Sequence, residues 1–210
     1  MEKYKFLGEH LNFHGHVLKR IYNIATGKKG GWIENEGNLS QEGTCWVGGE
    51  AKVYGNAKVL ENAKVFDNAI ICDNVEVSGH SQVYGDSQIR GNVKISDYAE
   101  VFDNARLYED AKILDYAKAF GNCIITGFAE IRGNACIYEN GGVGDAHVSD
   151  NVKIYGYGRA VTDSYISGNV QIFDKAYVGY SSKVSGDVKI CGNTIIMGEL
   201  EIGGNGSISE

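Results

Sequence analysis

The chain has 210 residues, with 29 Gly, no Pro and a formal charge of −7 from 27 acidic and 20 basic side chains. Average usage would give about 15 Gly and about 10 Pro, so collagen-like and Pro-rich disordered chains are excluded, and a 43% hydrophobic content excludes wholesale disorder. The acidic balance argues against generic nucleic-acid binding, which rests on a cationic surface, and no apolar run reaches the ~18 residues of a membrane span.

In chain order, residues 1–44 read as an N-terminal cap. KYKFL and HVLKRIYNI have the composition of two strands, and GEHLNFHG is expected as the turn between them, giving a β-hairpin-like element. The opening MEKYKFLGEH lacks the apolar core of a signal peptide. The five cysteines, Cys45, Cys72, Cys123, Cys136 and Cys191, are odd in number and form no CxxC pair. Reduced thiols in a cytoplasmic protein are the expectation, with no metal site.

From Cys45 a six-residue period takes over. CWVGGE, AKVYGN, AKVLEN and AKVFDN open a run of sixteen uninterrupted hexads to Asn140. One five-residue unit, GGVGD, follows at 141–145, and ten more hexads reach Asn205. The third position is Val, Ile or Leu in 25 of the 27 units, Ala119 and Ala160 being the departures. The first position is small, and the fifth and sixth favour Gly, Asp, Glu and Asn. Each unit therefore predicts a short strand centred on an inward third residue, then a corner built from residues that tolerate left-handed backbone angles. Three sides close an 18-residue coil, so 45–205 is expected to form about nine coils, leaving 206–210 as a C-terminal tail.

This clock resembles the left-handed parallel β-helix of the hexapeptide-repeat family. The lead-in GGWIENEGNLSQEGTCWV, through Gly30, Gly31, Trp32, Leu39, Ser40, Cys45 and Trp46, resembles a stretch of uncharacterised bacterial and phage β-helix proteins, some described as transferases from fold alone. The resemblance implies an all-β, left-handed parallel β-helix, a prokaryotic or phage source, and assembly as parallel trimers. It also implies an alternative, an acyltransferase that uses acyl-CoA with a His as general base.

Taking every third unit lays out each face of the prism. One column presents Phe66, Tyr84, Phe102, Phe120, Tyr138, Tyr155 and Phe173 on consecutive coils. The column stays in phase only if the pentad counts as a full side. Seven outward rings are an apolar stripe too large for an ordinary monomer surface, so these residues are expected at a homo-oligomer seam. The competing readings are a partly exposed intramolecular ladder and a stacking platform for bases or sugars.

For chemistry, His147 follows the pentad and is the catalytic candidate if the chain is an acyltransferase. Arg132, His147, Ser149 and Tyr165 fall on adjacent coils of one face, with Arg159 on the next, and are the expected site for an anionic ligand. His80 holds a corner position that is usually Asn, and a structural role is expected for it. The pentad is read as a one-residue corner deletion absorbed by glycine; the alternative is a pocket beside His147. No nucleophile triad, P-loop or dinucleotide fingerprint is present. The expectation is a non-catalytic, phage- or prophage-associated oligomeric binding protein that sequesters a small anionic or nucleotide-like ligand between subunits, without a cofactor. A structural phage tail or spike component is the remaining alternative.

Overall fold

The computed structural model describes residues 2–210. After a capping hairpin the chain winds as a parallel β-helix: mostly two-residue strands, separated by four residues whose middle pair turns the corner, stack into three parallel sheets. Partners on successive coils lie 18 residues apart, as in Lys64↔Gln82↔Glu100 and Val65↔Val83↔Val101. On every side the third residue of the hexad, such as Val47, Val53 or Val59, points inward and is fully buried, as is the small first residue, such as Ala51, Ala57 or Ala63. The core is thus one continuous column of β-branched residues, covered by the coil above and the coil below.

The absence of Pro follows from the hydrogen bonds. The amide N–H groups of the second, fourth and sixth residues each donate to the next coil: Lys64 to Ser81 O at 3.0 Å, Phe66 to Val83 O at 3.0 Å and Asn68 to Gly85 O at 3.0 Å. A first-position amide closes the corner behind it, as Ala63 does on Leu60 O at 3.1 Å. A proline at any of these places would delete a rung.

The corners carry a second ladder. Most acidic fifth residues adopt positive φ, among them Asp67 (57°), Asp103 (55°) and Glu139 (54°). Their carboxylates accept from the fifth-position N–H one coil further on: Glu61 from Gly79 at 2.7 Å, Asp73 from Gly91 at 3.0 Å, Glu109 from Gly127 at 2.6 Å and Asp150 from Gly168 at 2.8 Å. Gly and acid alternate down one corner from Gly49 to Gly192, while on another Asp97 is followed by Asp115. A Cβ at Gly85 would stand 2.7 Å from the Asp103 amide nitrogen, a close approach that favours glycine there.

Both ends depart from the expected boundaries. The hairpin is longer than its sequence suggested: β1 (Tyr4–Phe13) and β2 (His16–Asn23) pair antiparallel, so most of GEHLNFHG is strand. The turn is only His14–Gly15, with φ of 49° and 86°, the positive pair that a tight hairpin requires. β3 (Lys29–Ile33) pairs antiparallel with β2 on one side and parallel with Lys52–Val53 on the other. Leu39 bridges Val59 in parallel, so coil stacking begins before Cys45. At the far end, Asn205–Ser209 is not a loose tail but a strand paired in parallel with Asp187–Cys191. Two sheets therefore hold ten parallel strands and the third holds nine. No helix is long and apolar enough to cross a membrane.

Candidate functional site

Each face owes its character to the second and fourth hexad positions, which point outward. The face that includes Lys52–Val53, Gln88–Ile89 and Arg159–Val161 has the hairpin folded over its first coils. Leu11, Phe13, Leu18, Trp32, Tyr54, Ile70 and Cys72 form a separate apolar cluster there. Beyond it, no outward strand position on this face is acidic, yet it carries Arg90, Arg106 and Arg159, three of the chain's five arginines. Arg90 lies over the Tyr108 ring, 4.5 Å from its centroid. The pair lines a cleft of about 380 Å³ with Thr126, rimmed by the corner residues Asp73 and Glu109. Those carboxylates already accept from Gly91 and Gly127 N–H groups.

The pentad lies on the same face. Gly142–Gly144 pairs in register with Ile124–Thr126 before it and Arg159–Val161 after it, so the five-residue unit does serve as a full side. The residue missing from its corner is replaced by a side chain. The Asp145 carboxylate accepts the Phe128 N–H at 2.8 Å, a bond that elsewhere goes to a backbone carbonyl of the next coil. Phe128 itself is 73% exposed. A hollow of about 230 Å³ does open over the glycines, but beside Arg159 and not beside His147. The Arg159 guanidinium packs across Gly142 and donates to Asn140 O and Gly158 O. Arg159 therefore seals the pentad from a sheet other than that of the remaining predicted ligand residues.

The structure does gather those others. Glu130–Ile131, His147–Val148 and Tyr165–Ile166 are successive strands of one sheet. The His147 ring stacks on Tyr165 at 4.7 Å and 15°, and Ser149 follows on the same strand side. Arg132 is ion-paired with Glu130, which also lies 3.5 Å from Lys112. Arg132 is exposed and Glu130 is shared by two cations, so the pair fixes the direction of the Arg132 side chain rather than removing its charge. The cluster supplies a stacked imidazole and a guanidinium with one carboxylate partner.

The predicted interface residues form one unbroken stack. From Phe66 through Tyr84, Phe102, Phe120, Tyr138 and Tyr155 to Phe173, ring centroids are 4.7–5.1 Å apart and successive planes lie within 8° of parallel. All seven rings are half-buried, covering one another's faces and leaving their rims outward. Burial pushes the Tyr84, Tyr138 and Tyr155 hydroxyls above their ordinary pKa. The Tyr84 and Tyr155 hydroxyls reach Glu100 and Gln171.

A second stack went unrecognised in the sequence. His80, Tyr98 and Tyr116 occupy one corner 18 residues apart, stacked at 5.1 Å at each step. The sixth-position spacing of SDY and LDY carries this signal. His80 also lies 3.5 Å from the Asn62 amide, continuing an amide ladder that runs elsewhere as Asn56–Asn74–Asn92–Asp110.

In the cap, His16 Nδ1 meets Glu34 at 2.8 Å, while His14 stacks on Phe13. The His16 hydrogen bond, joined by one from the Gly55 amide, holds Glu34 below the ordinary carboxylate range. The Trp32 indole N–H and then Arg20 do the same for Glu50. Among the described residues no three His, Cys, Asp or Glu side chains gather as a metal site would require. No family model matches the chain, and no curated protein does.

Proposed function

We propose that the protein is a non-catalytic binding scaffold of the hexapeptide-repeat type. Copies associate side to side as a trimer in the cytoplasm of a bacterial host, in a phage or prophage context, and hold a small anionic, nucleotide-like ligand in the clefts between them. The observation that carries this reading is a face whose outward strand positions hold no acid and carry Arg90 and Arg106 on adjacent coils, the corner acids Asp73 and Glu109 at its rim being engaged by the Gly91 and Gly127 amides. Neither guanidinium has a carboxylate partner among the described residues. The Arg90 guanidinium carbon stands 4.5 Å from the Tyr108 ring centroid, an arrangement suited to an anion carrying a planar group. Arg132 and Arg159, in contrast, are engaged by Glu130 and by backbone carbonyls. The ligand is therefore assigned to Arg90 and Tyr108, which line the cleft, with Arg106 adding positive charge on the same face, and His147, Ser149 and Tyr165 are left as an outward surface. The half-buried ring ladder from Phe66 to Phe173 supports self-association as the seam.

Native mass spectrometry of the purified protein tests both parts. The expected result is a homo-oligomer that carries, or takes up on titration with nucleoside mono- and triphosphates, an anion lost in Arg90→Gln. A monomeric mass overturns the assembly, and equal uptake by Arg90→Gln overturns the site.

A further inference from the structure

The cap and the first coil enclose a cleft that the outer faces do not use. It has a volume of about 410 Å³, within the range of small-ligand sites, and three distant segments build it: the chain before β1, the turn between β2 and β3, and the lead into Trp46–Val47. Lys3, Thr26, Lys28, Thr44, Cys45 and Trp46 line it.

Trp46 supplies the apolar wall. The indole is half-buried, and it fits because Gly30 and Gly48 have no side chains: a Cβ at Gly30 would lie 2.6 Å from the Trp46 ring, and one at Gly48 would lie 3.3 Å from it. Cys45, fully buried, lies behind. The polar groups are donors. Lys3 Nζ is half-sheltered and donates to Cys45 Sγ at 3.0 Å and to Glu42 O at 3.3 Å. Lys28, also in the lining, stands exposed. Thr44 also lines the cleft, but its hydroxyl hydrogen is already given to Asn62 at 2.9 Å, so the free donors are the two ammonium groups. Among the described residues no carboxylate lines the cleft, although the chain as a whole carries more acid than base. Neither lysine is ion-paired among the described residues, whereas Lys29 next along the chain is paired with Glu9 at 2.6 Å. An apolar wall faced by two uncompensated ammonium groups selects a ligand with an apolar body and one anionic end.

We infer that this cleft is a binding site for a small amphipathic anion, an aromatic or aliphatic carboxylate, sulfonate or phosphate, whose apolar part lies on Trp46 and whose charge lies between Lys3 and Lys28. The site is complete within one chain and is independent of the Arg90 cleft and of oligomerisation.

The test uses the full chain with 1-anilinonaphthalene-8-sulfonate as probe and N-phenyl-1-naphthylamine as the same ring system without charge. The chain has two Trp, so in Trp32→Phe energy transfer to the probe starts from Trp46 alone. Trp46→Phe in the otherwise native chain gives the complementary loss. The expected result is saturable transfer to the sulfonate, binding about tenfold weaker for the neutral probe, and a similar loss in Lys28→Glu and in Lys3→Gln. Near-UV circular dichroism confirms that each variant is folded. Phe102→Glu with Phe120→Glu should leave probe binding unchanged, which separates this site from the seam. Equal binding of the neutral probe, native affinity in both lysine variants, or the absence of transfer from Trp46 would overturn the inference.

Discussion

Replacing Asp145 by Ala removes the side chain that closes the shortened corner. Two terms follow from its geometry. The carboxylate accepts the Phe128 N–H at 2.8 Å, and a hydrogen bond to a charged group contributes about 1.5–3 kcal/mol, the lower figure being appropriate at this exposed site. Asp145 also sits at φ 50°, where Ala lacks the local polar bond that eases the left-handed conformation and costs about 1 kcal/mol. Asp145→Ala should therefore destabilise the pentad by about 2.5 kcal/mol, while Asp145→Asn, which keeps an acceptor oxygen and tolerates positive φ, should cost less than about 1 kcal/mol. Because coils stack in one dimension, the loss is local before it is global. Amide hydrogen exchange at Phe128 and its flanking coils is the assay, and about 2.5 kcal/mol corresponds to roughly seventyfold faster exchange. Unchanged protection in Asp145→Ala, or equal damage in Asp145→Asn, would refute the assignment of Asp145 as a substitute for the missing residue.

Other outcomes follow from the same structure. Gly158→Ala would place a Cβ 2.5 Å from Ile172 O, so it should lower the urea midpoint by an amount equivalent to about 1–3 kcal/mol, whereas Ala105→Gly, at a first position far from the pentad, should cost about 1 kcal/mol or less. Acidification should loosen the cap first. Glu34 and Glu50 are held below their ordinary pKa, so their contribution is present above the unfolded-state value and is lost as pH falls through the lower folded value. Trp32 emission, coupled to Glu50 at 2.9 Å, should change in that acid range and stay level from pH 6 to 8. Phe102→Glu with Phe120→Glu should reduce the assembly to monomers in sedimentation velocity, and an unchanged mass would sink the seam. His147→Ala should leave anion uptake unaltered; loss of uptake would move the site to the His147 face.

The stacking was legible because the six-residue clock acts through backbone geometry. A β-branched third residue and a small first residue suffice to place Val65 over Val83, and the same register lines up the rings from Phe66 to Phe173. The ends were less legible. β3 satisfies an antiparallel and a parallel neighbour at once, and Leu39 stacks on Val59 with no hexad around it, so periodicity alone could not find them. The His14–Gly15 turn was hidden because His replaces the Asn or Asp usual at such a turn. Side-chain pairing was hidden too. Outward positions announce residue type but not whether Arg132 is already taken by Glu130, or whether Arg159 turns back to carbonyls across Gly142. The separation of Arg159 from His147 follows from that pairing and from the face on which each strand lies.

The corner carboxylates have a direction. In each pair on a full hexad the acid belongs to the earlier coil and the amide to the later one, as in Glu61 to Gly79 and Asp174 to Gly192, whereas Asp145 in the shortened corner reaches back to Phe128. A chain synthesised from its N-terminus thus has the acceptor in place before the amide it will hold has been made. Each finished coil is a template for the one after it, and the hairpin that closes the first coils supplies the starting surface. Winding can then proceed one coil at a time, in step with the emergence of the chain.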